Sequence, residues 1–291
     1  MTRFLVVGDL HGQIPRIHFK EFDAIIAPGD LCSDRGVRAA YQKFYAEYLK
    51  NRKTRREWFD FVGKRKAKAL VRQSLKDGER VLNVLDSFGK PVFLVPGNWD
   101  WPKVASSSWP YLREDHFSAL VKQKRNVINM HGRRRTFGGV DVIGYGYVNG
   151  PELLRFRSYD GVSKEELARN EQKYHRLLEK YRRLFSGAKR PVLFLSHNVP
   201  FKSGLDKILD DHSLRFGFHY GSNLARDLLD EFNPLLCVGG HMHEHFGRRK
   251  VGKTTVINAG FGSRVNTLVE IVNGRLRKVS FFPKPYGNGR G

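Results

Sequence analysis

The sequence is poor in cysteine and has no long apolar run. Only Cys32 and Cys237 occur in 291 residues, which excludes a disulfide scaffold, and we expect both to be buried free thiols. No apolar stretch reaches the roughly 18–20 residues that a transmembrane helix needs. The first residues lead into a short apolar run that stops at Gly8-Asp9, which is unlike a secretory leader. We therefore expect a cytoplasmic protein without a membrane span.

Acidic residues are scarce as well. The chain has 52 Lys and Arg against 29 Asp and Glu, a formal net charge of +23, and a pI near 10.2. Thermophilic proteins usually gain Glu together with Lys, and this sequence does not show that balance. The excess of basic charge indicates a polyanionic neighbour, with nucleic acid first and an anionic membrane surface second.

Internal repeats and Pro-rich or Ser-rich linkers are also lacking. A chain of this length fits a single α/β domain, so we interpret 1–283 as one domain and 284–291 as a flexible tail. Basic helical insertions are expected near 36–90 and 152–187. Apolar residues recur at near-helical spacing in the first insertion and predict two helices. Their basic face is either a solvated surface or a groove for a phosphate backbone.

Five short apolar runs are predicted to form strands. They are rich in Val, Ile, Leu and Phe and do not alternate with polar residues, which is typical of strands covered on both faces. The runs lie at 4–8, 24–29, 91–97, 191–197 and 234–240. Alternating segments after Arg133 and in the C-terminal quarter, with a turn at Asn273-Gly274, predict antiparallel strands. Together with the helical segments, the strands indicate an α/β fold.

Polar side chains follow each of the five runs. In chain order they are Asp9 and His11, Asp30, Asn98, His197, and His241 and His243. Ligands of open α/β sheets bind beyond the carboxyl ends of the strands, so we expect the seven side chains to meet. Any one junction alone could be a turn cap or a polar pair. The mixed N/O set suits Mn, Fe, Zn, Ni or Co better than Ca or Mg, and seven ligands predict two metal ions that share a carboxylate.

The ordered junctions resemble the signature of the calcineurin-like metallophosphoesterases, and in particular that of the small archaeal and bacterial phosphoesterases. The motifs that carry the resemblance are GDLHG at 8–12, GD at 29–30, GNWD at 97–100, SHN at 196–198 and GGHMH at 239–243. It extends from Asp9 to the INAG segment at 257–260. The resemblance implies a two-sheet β-sandwich flanked by helices in four layers, rather than one doubly wound sheet.

The resemblance also implies a role for each of the seven side chains. The ligands of a first metal ion would be Asp9, His11 and His243. Those of a second would be Asn98, His197 and His241. Asp30 would bridge the two ions. Asp30 and Asn98 are in addition expected to be catalytic. The implied chemistry is hydrolysis of a phosphoric ester, with in-line attack by a hydroxide that the two metal ions generate. We expect manganese, with Fe, Zn, Ni and Co also compatible.

Trp99 departs from the family pattern. Most of the family has His between this Asn and the following acid, and that His is thought to protonate the leaving oxygen. The indole N–H of Trp is not acidic. Another His could replace it, and His219 is our candidate for this catalytic role, with His116 and His131 as alternatives. The substrate could instead have a good leaving group. Trp99 could also stack on a base while a metal-bound water supplies the proton, or it could only pack.

The leading hypothesis is therefore a metal-dependent phosphodiesterase that acts on nucleotide or nucleic-acid phosphodiesters. The missing His and the basic surface both favour diesters over small monoesters. One alternative is a phosphomonoesterase. The other is a nucleic-acid-binding protein that keeps the metallophosphoesterase scaffold with weak or no turnover, although such a protein would have little need for seven intact ligands. Nucleic acid is a possible partner, and the sequence does not define an oligomeric state.

Overall fold

Two six-stranded sheets form the centre of the molecule. The computed structural model describes residues 1–51, 53–146, 163–211 and 216–284. The strands are β1 Thr2–Val6, β2 Ala24–Ala27, β3 Val92–Leu94, β4 Val127–Asn129, β5 Arg133–Phe137, β6 Val140–Tyr145, β7 Val192–Asn198, β8 Leu236–Gly240, β9 Gly247–Val251, β10 Thr254–Asn258, β11 Asn266–Val272 and β12 Arg275–Phe282. The α-helices are α1 Val37–Lys50, α2 Lys64–Ser87, α3 His116–Val121, α4 Lys164–Ser186 and α5 Asn223–Phe232.

The strand order divides the five predicted runs between the two sheets. The first sheet has the order β12-β11-β1-β2-β3-β4, and the second has the order β5-β6-β7-β8-β10-β9. Strands β1 to β4 are parallel, as are β6, β7, β8 and β10, while β5, β9, β11 and β12 pair antiparallel. The fold predicted from the resemblance, a β-sandwich of two sheets, is therefore confirmed.

Three apolar cores separate the four layers. Successive side chains of a strand point to opposite faces, and in β1 Phe4 and Val6 enter the core between the sheets. Leu5 and Val7 face the other way, into the core that the first sheet shares with α1 to α3. A third core joins the outer face of the second sheet to α4 and α5. Each large apolar side chain buried in this way contributes about 1.5–3 kcal/mol, which explains why the strand runs are apolar at every position.

The helices begin where the sequence offers capping residues. Ser163 accepts a hydrogen bond from the Glu166 N–H at 3.2 Å, and Ser222 accepts one from the Ala225 N–H at 3.1 Å, at the starts of α4 and α5. Such caps stabilise a helix by about 1 kcal/mol. The two helices predicted within 36–90 are α1 and α2. None of the described helices is both long and apolar enough to cross a membrane.

Two edges of the second sheet are strongly basic. Strand β5 presents exposed Arg133, Arg134 and Arg135, and β9 at the opposite edge presents exposed Arg248, Arg249 and Lys250. The two cysteines, in contrast, are buried free thiols, as the composition predicted. Of the tail predicted at 284–291, only Lys284 lies within the described residues. The division into one domain with insertions stays a prediction.

Candidate metal centre

The carboxyl ends of β1, β2, β3, β7 and β8 converge on one rim of the sandwich. There the side chains that follow the strands form two groups, and within each group the ligand atoms lie within 4.8 Å of one another. The groups are Asp9, His11 and His243, and Asp30, His197 and His241. The seventh predicted ligand, Asn98, joins the second group because its Oδ1 lies 2.9 Å from Nε2 of His197. All seven side chains singled out in the sequence therefore meet, across 234 residues of chain from Asp9 to His243.

Asp30 lies between the two groups. Its Oδ2 is 3.9 Å from Nε2 of His11 in the first group and 3.6 Å from Nε2 of His197 in the second. Its Oδ1 accepts a hydrogen bond from the backbone N–H of Trp99 at 2.8 Å. One carboxylate oxygen is thus held by the backbone while the other faces both groups. This is the placement that a carboxylate shared between two metal ions requires.

The hydrogen bonding within the groups fits cations. Nδ1 of His197 lies 2.8 Å from the carbonyl oxygen of Pro28, which can only accept, so Nδ1 carries the proton. In the neutral ring Nε2 then presents a lone pair to the Asn98 oxygen, which is also an acceptor. In the first group Nε2 of His11 faces Nε2 of His243 at 3.2 Å. The facing acceptors of His197 and Asn98 are stable with a cation between them, and the N/O donor set of both groups suits divalent transition metals.

Burial sets the protonation of these side chains. It lowers the pKa of His11 to about 4 and that of His241 to about 3, and it also lowers the pKa of His197. The three imidazoles are therefore neutral at pH 7 and can offer lone pairs. Burial raises the pKa of Asp30 well above its usual value, and the charges of neighbouring carboxylates raise it further. For Asp9 the same burial effect is outweighed by a hydrogen bond from His243 and by imidazole charges, so its pKa is lowered.

The backbone of this rim adopts an unusual conformation. Asp9, His11, Asp30 and His241 have φ angles of 50°, 47°, 54° and 67°, in the left-handed region that side chains other than glycine rarely adopt. Holding a residue in this conformation lowers the folding stability by on the order of 1–3 kcal/mol, and such residues cluster at functional sites. Four of the seven residues are held in this way, so the loops are shaped to aim side chains rather than for backbone stability alone.

Glycines next to the ligands allow the close approach of two carboxylates. A Cβ added at Gly97 would lie 2.2 Å from Oδ1 of Asp30, and one added at Gly240 would lie 2.1 Å from Oδ2 of Asp9. Both distances are well inside van der Waals contact. The glycines that precede Asn98 and His241 in the motifs are therefore required for space, because each one makes room for a carboxylate of another strand's loop.

Asp100 holds two of the loops together. Its buried carboxylate accepts hydrogen bonds of 2.8–2.9 Å from the backbone N–H groups of Asp30, Leu31, Cys32 and Gly97. Burial raises its pKa, although these N–H groups act in the opposite direction. Asp100 therefore joins the loop after β2 to the loop after β3, and with them the positions of Asp30 and Asn98.

Comparison with known proteins agrees with this geometry. Residues 2–245 match the calcineurin-like phosphoesterase family, which is more than four fifths of the chain. The chain belongs to that family. As a metallophosphoesterase with two candidate His/Asp metal sites, it is a metal-dependent phosphoric ester hydrolase. No curated protein sequence matches it.

Three solved structures are similar to this chain at low sequence identity, and the first of them shows the same fold. One crystal structure has 15% identity and a TM-score of 0.62 over 97% of this chain and 99% of the other. A putative 5'-nucleotidase from Staphylococcus aureus, in complex with alpha-ketoglutarate, has 14% identity and a TM-score of 0.47 over 96% of this chain and 53% of its own. The sulfate thiohydrolase SoxB of Thermus thermophilus, in complex with glycerol, has 14% identity and a TM-score of 0.46 over 96% of this chain and 55% of its own.

A cavity of about 1010 Å³ opens above the two groups of this metallophosphoesterase. Trp99 forms part of its wall together with Asn98 and Arg38. The indole packs edge to face against Tyr41 with ring centroids 5.4 Å apart, and the guanidinium of Arg38 lies 5.3 Å from its centroid. Arg38 also pairs with Asp34. The position where most of the family has an acidic imidazole is therefore occupied by an indole beneath a cation.

None of the three histidines considered as replacements lines this cavity. Nδ1 of His219 lies 3.0 Å from Oδ1 of the buried Asp206. Nε2 of His116 lies 2.8 Å from a backbone carbonyl oxygen, and Nδ1 of His131 accepts from a backbone N–H at 2.9 Å. The structure does not bring His219 to the seven ligands, so its catalytic role stays a prediction. The residue that does reach the cavity from this loop is its neighbour Tyr220, whose ring stacks on His241.

Sequence reasoning missed three residues at the site. Phe261 stacks on His11 at 5.7 Å and meets His243 edge to face at 5.2 Å. Arg38 and Arg264 bring positive charge to the cavity wall. The signal for Phe261 and Arg264 was the glycine-rich stretch GFGSR at 260–264, which was too general to identify them. Arg38 lies four residues after Asp34 on a helix start, and such spacing is common on solvated helices.

Proposed function

We propose that this metallophosphoesterase is a phosphodiesterase that cleaves nucleotide or nucleic-acid phosphodiesters. The observation that carries the proposal is the cavity wall beside Asp30 and Asn98, where an aromatic face and a guanidinium lie together at Trp99 and Arg38. A base can stack on the indole surface that Arg38 and Tyr41 leave open, and base–aromatic stacking is worth about 1–3 kcal/mol. A phosphate oxygen can pair with a guanidinium. These are the two parts of a nucleotide.

The seven side chains would hold two divalent transition-metal ions, manganese first. The first ion would lie among Asp9, His11 and His243, the second among Asn98, His197 and His241, and Asp30 would face both. When bound, the two ions would polarise the phosphoryl group and supply a hydroxide nucleophile at neutral pH. Asp30 and Asn98 would fix the scissile phosphate relative to the wall formed by Trp99. The guanidiniums of Arg38 and Arg264 would neutralise charge that develops on the phosphate oxygens.

The shape of the cavity also favours a diester. A phosphodiester has one negative charge and two organic substituents, whereas a monoester has up to two charges and one substituent. The opening of about 1010 Å³ leaves space on both sides of the phosphate. Trp99 contributes apolar surface where an imidazole would contribute a proton. The site thus offers more room and stacking surface than a small sugar phosphate needs.

The test is a matched pair of aryl substrates. Protein loaded with manganese, and separately with Zn, Ni, Co or Fe(II), is assayed on bis(p-nitrophenyl) phosphate and on p-nitrophenyl phosphate. We expect the diester to be hydrolysed with a kcat/KM about tenfold higher or more, equivalent to at least about 1.4 kcal/mol of transition-state stabilisation. The variant His197→Ala should lose this activity. The matched control His175→Ala, an exposed position on α4, should retain it.

Each other outcome of this assay selects an alternative. A higher kcat/KM for the monoester would make the protein a phosphatase. No turnover with any of the metals would leave the binding hypothesis, which predicts nucleic-acid affinity that falls steeply with salt. Turnover that survives His197→Ala would mean that the seven-residue site is not the active site.

The role of Trp99 has its own experiment. A positioned general acid contributes about 10²–10⁴-fold, and most when the leaving group is a poor one. We expect Trp99→His to narrow the rate gap between an aryl and an alkyl leaving group by about tenfold, because an imidazole can protonate the alkoxide. Trp99→Phe keeps an aromatic face and should not narrow it. Equal gaps in both variants would contradict the idea that this position determines leaving-group preference.

A further inference from the structure

A second cavity of about 760 Å³ adjoins the metal cavity. The two share His11, Gln13 and Arg264 in their walls, so the second begins where the first metal group ends. We call it the basic groove. The residues that define it are Arg16, Arg35, Ser263 and Arg264, with His18 and Phe282 at its far end.

The charge of the basic groove is positive and little compensated. In the described parts of the chain, the guanidiniums of Arg16 and Arg35 have no carboxylate within ion-pair distance. The one acid that lines the groove, Asp77, is already paired with Arg80 at 2.7 Å. Because the remaining arginines point their charge into one concave surface, the groove attracts an anion.

A buried hydroxyl in the wall also lacks a partner. Ser263 is 9% exposed and lines the groove, and its Oγ has no hydrogen-bond partner among the described residues. Buried polar groups in folded proteins are nearly always hydrogen-bonded. The Ser263 hydroxyl can donate to an anion bound in the groove, which would satisfy it. This observation is independent of the surface charge.

The far end of the groove offers an aromatic surface. The rings of Phe282 and His18 stack with centroids 3.7 Å apart and planes at 24°. Phe282 is nevertheless 45% exposed, and Ile14 nearby in the same wall is 49% exposed. An exposed aromatic face next to a cationic groove is the combination that binds single-stranded nucleic acid, since every base has a face to stack.

We propose that the basic groove binds the phosphate and the base of the nucleotide next to the scissile phosphodiester. The substrate is then a single-stranded oligonucleotide rather than a cyclic or isolated nucleotide. The phosphate lies on Arg16, Arg35 and Ser263, and its base lies on Phe282. A paired base is already stacked within a duplex and cannot reach this surface. The inference rests on the proposed phosphodiesterase function for its catalytic meaning, but the groove can be tested by binding alone.

The kinetic test compares two substrates of the manganese-loaded protein. One is bis(p-nitrophenyl) phosphate, which has a single phosphate, and the other is a fluorogenic single-stranded pentanucleotide. In the double variant Arg16→Gln/Arg35→Gln, the ratio of kcat/KM for the oligonucleotide to that for the aryl diester should fall about tenfold. The matched control Arg275→Gln/Arg277→Gln removes the same charge from exposed positions of β12. There the ratio should stay within twofold.

The binding test uses metal-free protein and fluorescein-labelled decathymidylate, followed by anisotropy at several salt concentrations. Arg16→Gln/Arg35→Gln should weaken binding about tenfold and lower the slope of log K against log salt by about 1. Phe282→Ala should weaken the binding of decathymidylate about tenfold. It should weaken the binding of an abasic decamer much less, because only decathymidylate has bases that can stack. Ser263→Ala should weaken both oligomers equally.

The outcomes separate the two proposals. If neither substrate is hydrolysed but the groove variants weaken decathymidylate binding, the phosphodiesterase function is wrong and the groove is correct. If the aryl diester is hydrolysed and the groove variants change neither the ratio nor the binding, the groove proposal is overturned. Equal loss with the charge control, or equal affinity for duplex and single strand, would likewise overturn it by showing that only the overall charge matters.

Discussion

The two groups of metal ligands differ in how the protein holds them. In the second group Nδ1 of His197 donates to the Pro28 carbonyl, and Asp30 accepts from the Trp99 backbone. In the first group Nδ1 of His11 has no hydrogen-bond partner in the described residues, and the nearest carboxylate oxygen, on Asp34, is 3.9 Å away.

In the first group the backbone N–H of His241 donates to the Asp9 carboxylate at 2.9–3.0 Å, while the imidazoles are held by aromatic packing. Phe261 stacks on His11 and meets the edge of His243, whose side chain is 32% exposed. Outer hydrogen bonds orient a ligand and raise its basicity, and losing one typically costs 10–100-fold in metal affinity. The difference between the groups is therefore in the imidazoles: a hydrogen bond orients His197, whereas aromatic contacts hold His11 and His243. We expect the second group to bind its ion more tightly.

The largest effect should come from the residue that both groups share. Asp30→Ala removes the oxygen that faces His11 and His197, so neither site should stay intact. We expect turnover to fall about 10³-fold or more, since metal ions contribute several kcal/mol of transition-state stabilisation, and bound manganese to fall from two ions to fewer than one by elemental analysis. Asp23→Ala, at the other end of β2, is the control and should keep both ions. If Asp30→Ala retained two ions, Asp30 would not be a bridging ligand.

A ligand taken from each group should distinguish the two sites directly. In calorimetric titrations with Mn²⁺ we expect a tight and a weak phase. His197→Ala should abolish the tight phase and His11→Ala the weak one, each with an affinity loss of at least about 100-fold, because a lost ligand costs more than a lost outer partner. If His11→Ala abolished the tight phase and His197→Ala the weak one, the first group would be the tighter site, contrary to our expectation.

Smaller effects are expected from the glycines that make room for the carboxylates. Gly240→Ala should displace Asp9 and weaken the first site by about tenfold, whereas Gly97→Ala should displace Asp30 and weaken both. The same titrations measure this, with melting temperatures recorded to exclude global unfolding. If Gly240→Ala affects the two phases equally, the sites are more tightly coupled than the separate geometries indicate.

The smallest effect concerns the cost of a buried imidazole without metal. Burial, together with the charge of the nearby Lys180, lowers the pKa of His131 to about 4, yet this residue belongs to neither group. Its folded pKa lies below the unfolded value near 6.5, so the unfolded chain binds more protons between these values and stability is lost as the pH falls through this window.

His131→Gln should therefore make the metal-free protein lose stability less steeply between pH 6.5 and 4, by up to about 1.4 kcal/mol per pH unit. Urea unfolding at several pH values measures the slope. Identical slopes for the variant and the parent would mean that His131 is protonated in the folded state.

The sequence was sufficient for the parts of the molecule that depend on local pattern. Runs of apolar residues without alternation gave the parallel strands, Ser222 gave a helix start, and Asn273-Gly274 gave the hairpin of β11 and β12. The seven candidate ligands could be selected because parallel strands end at the same rim, so that position in the chain determines position in space.

Features that depend on contacts between distant loops could not be predicted. The four backbone N–H groups that donate hydrogen bonds to Asp100 come from two loops. No residue spacing in the sequence predicts these hydrogen bonds. His219 was selected because it precedes a helix start, but the buried Asp206 holds its ring. The left-handed backbone of Asp9 or Asp30 also has no signature, since neither residue is a glycine.

The basic edges of the second sheet have a consequence for the protein in a crowded solution. An edge strand offers unpaired N–H and C=O groups to any other strand, which is how sheets polymerise. Here both outer strands carry cations, Arg133 to Arg135 on one and Arg248 to Lys250 on the other. Two copies that approach through the edges of their second sheets therefore repel each other, whether β5 or β9 is presented. The same charge that would concentrate the protein on a polyanion thus opposes pairing between these edges when no polyanion is present.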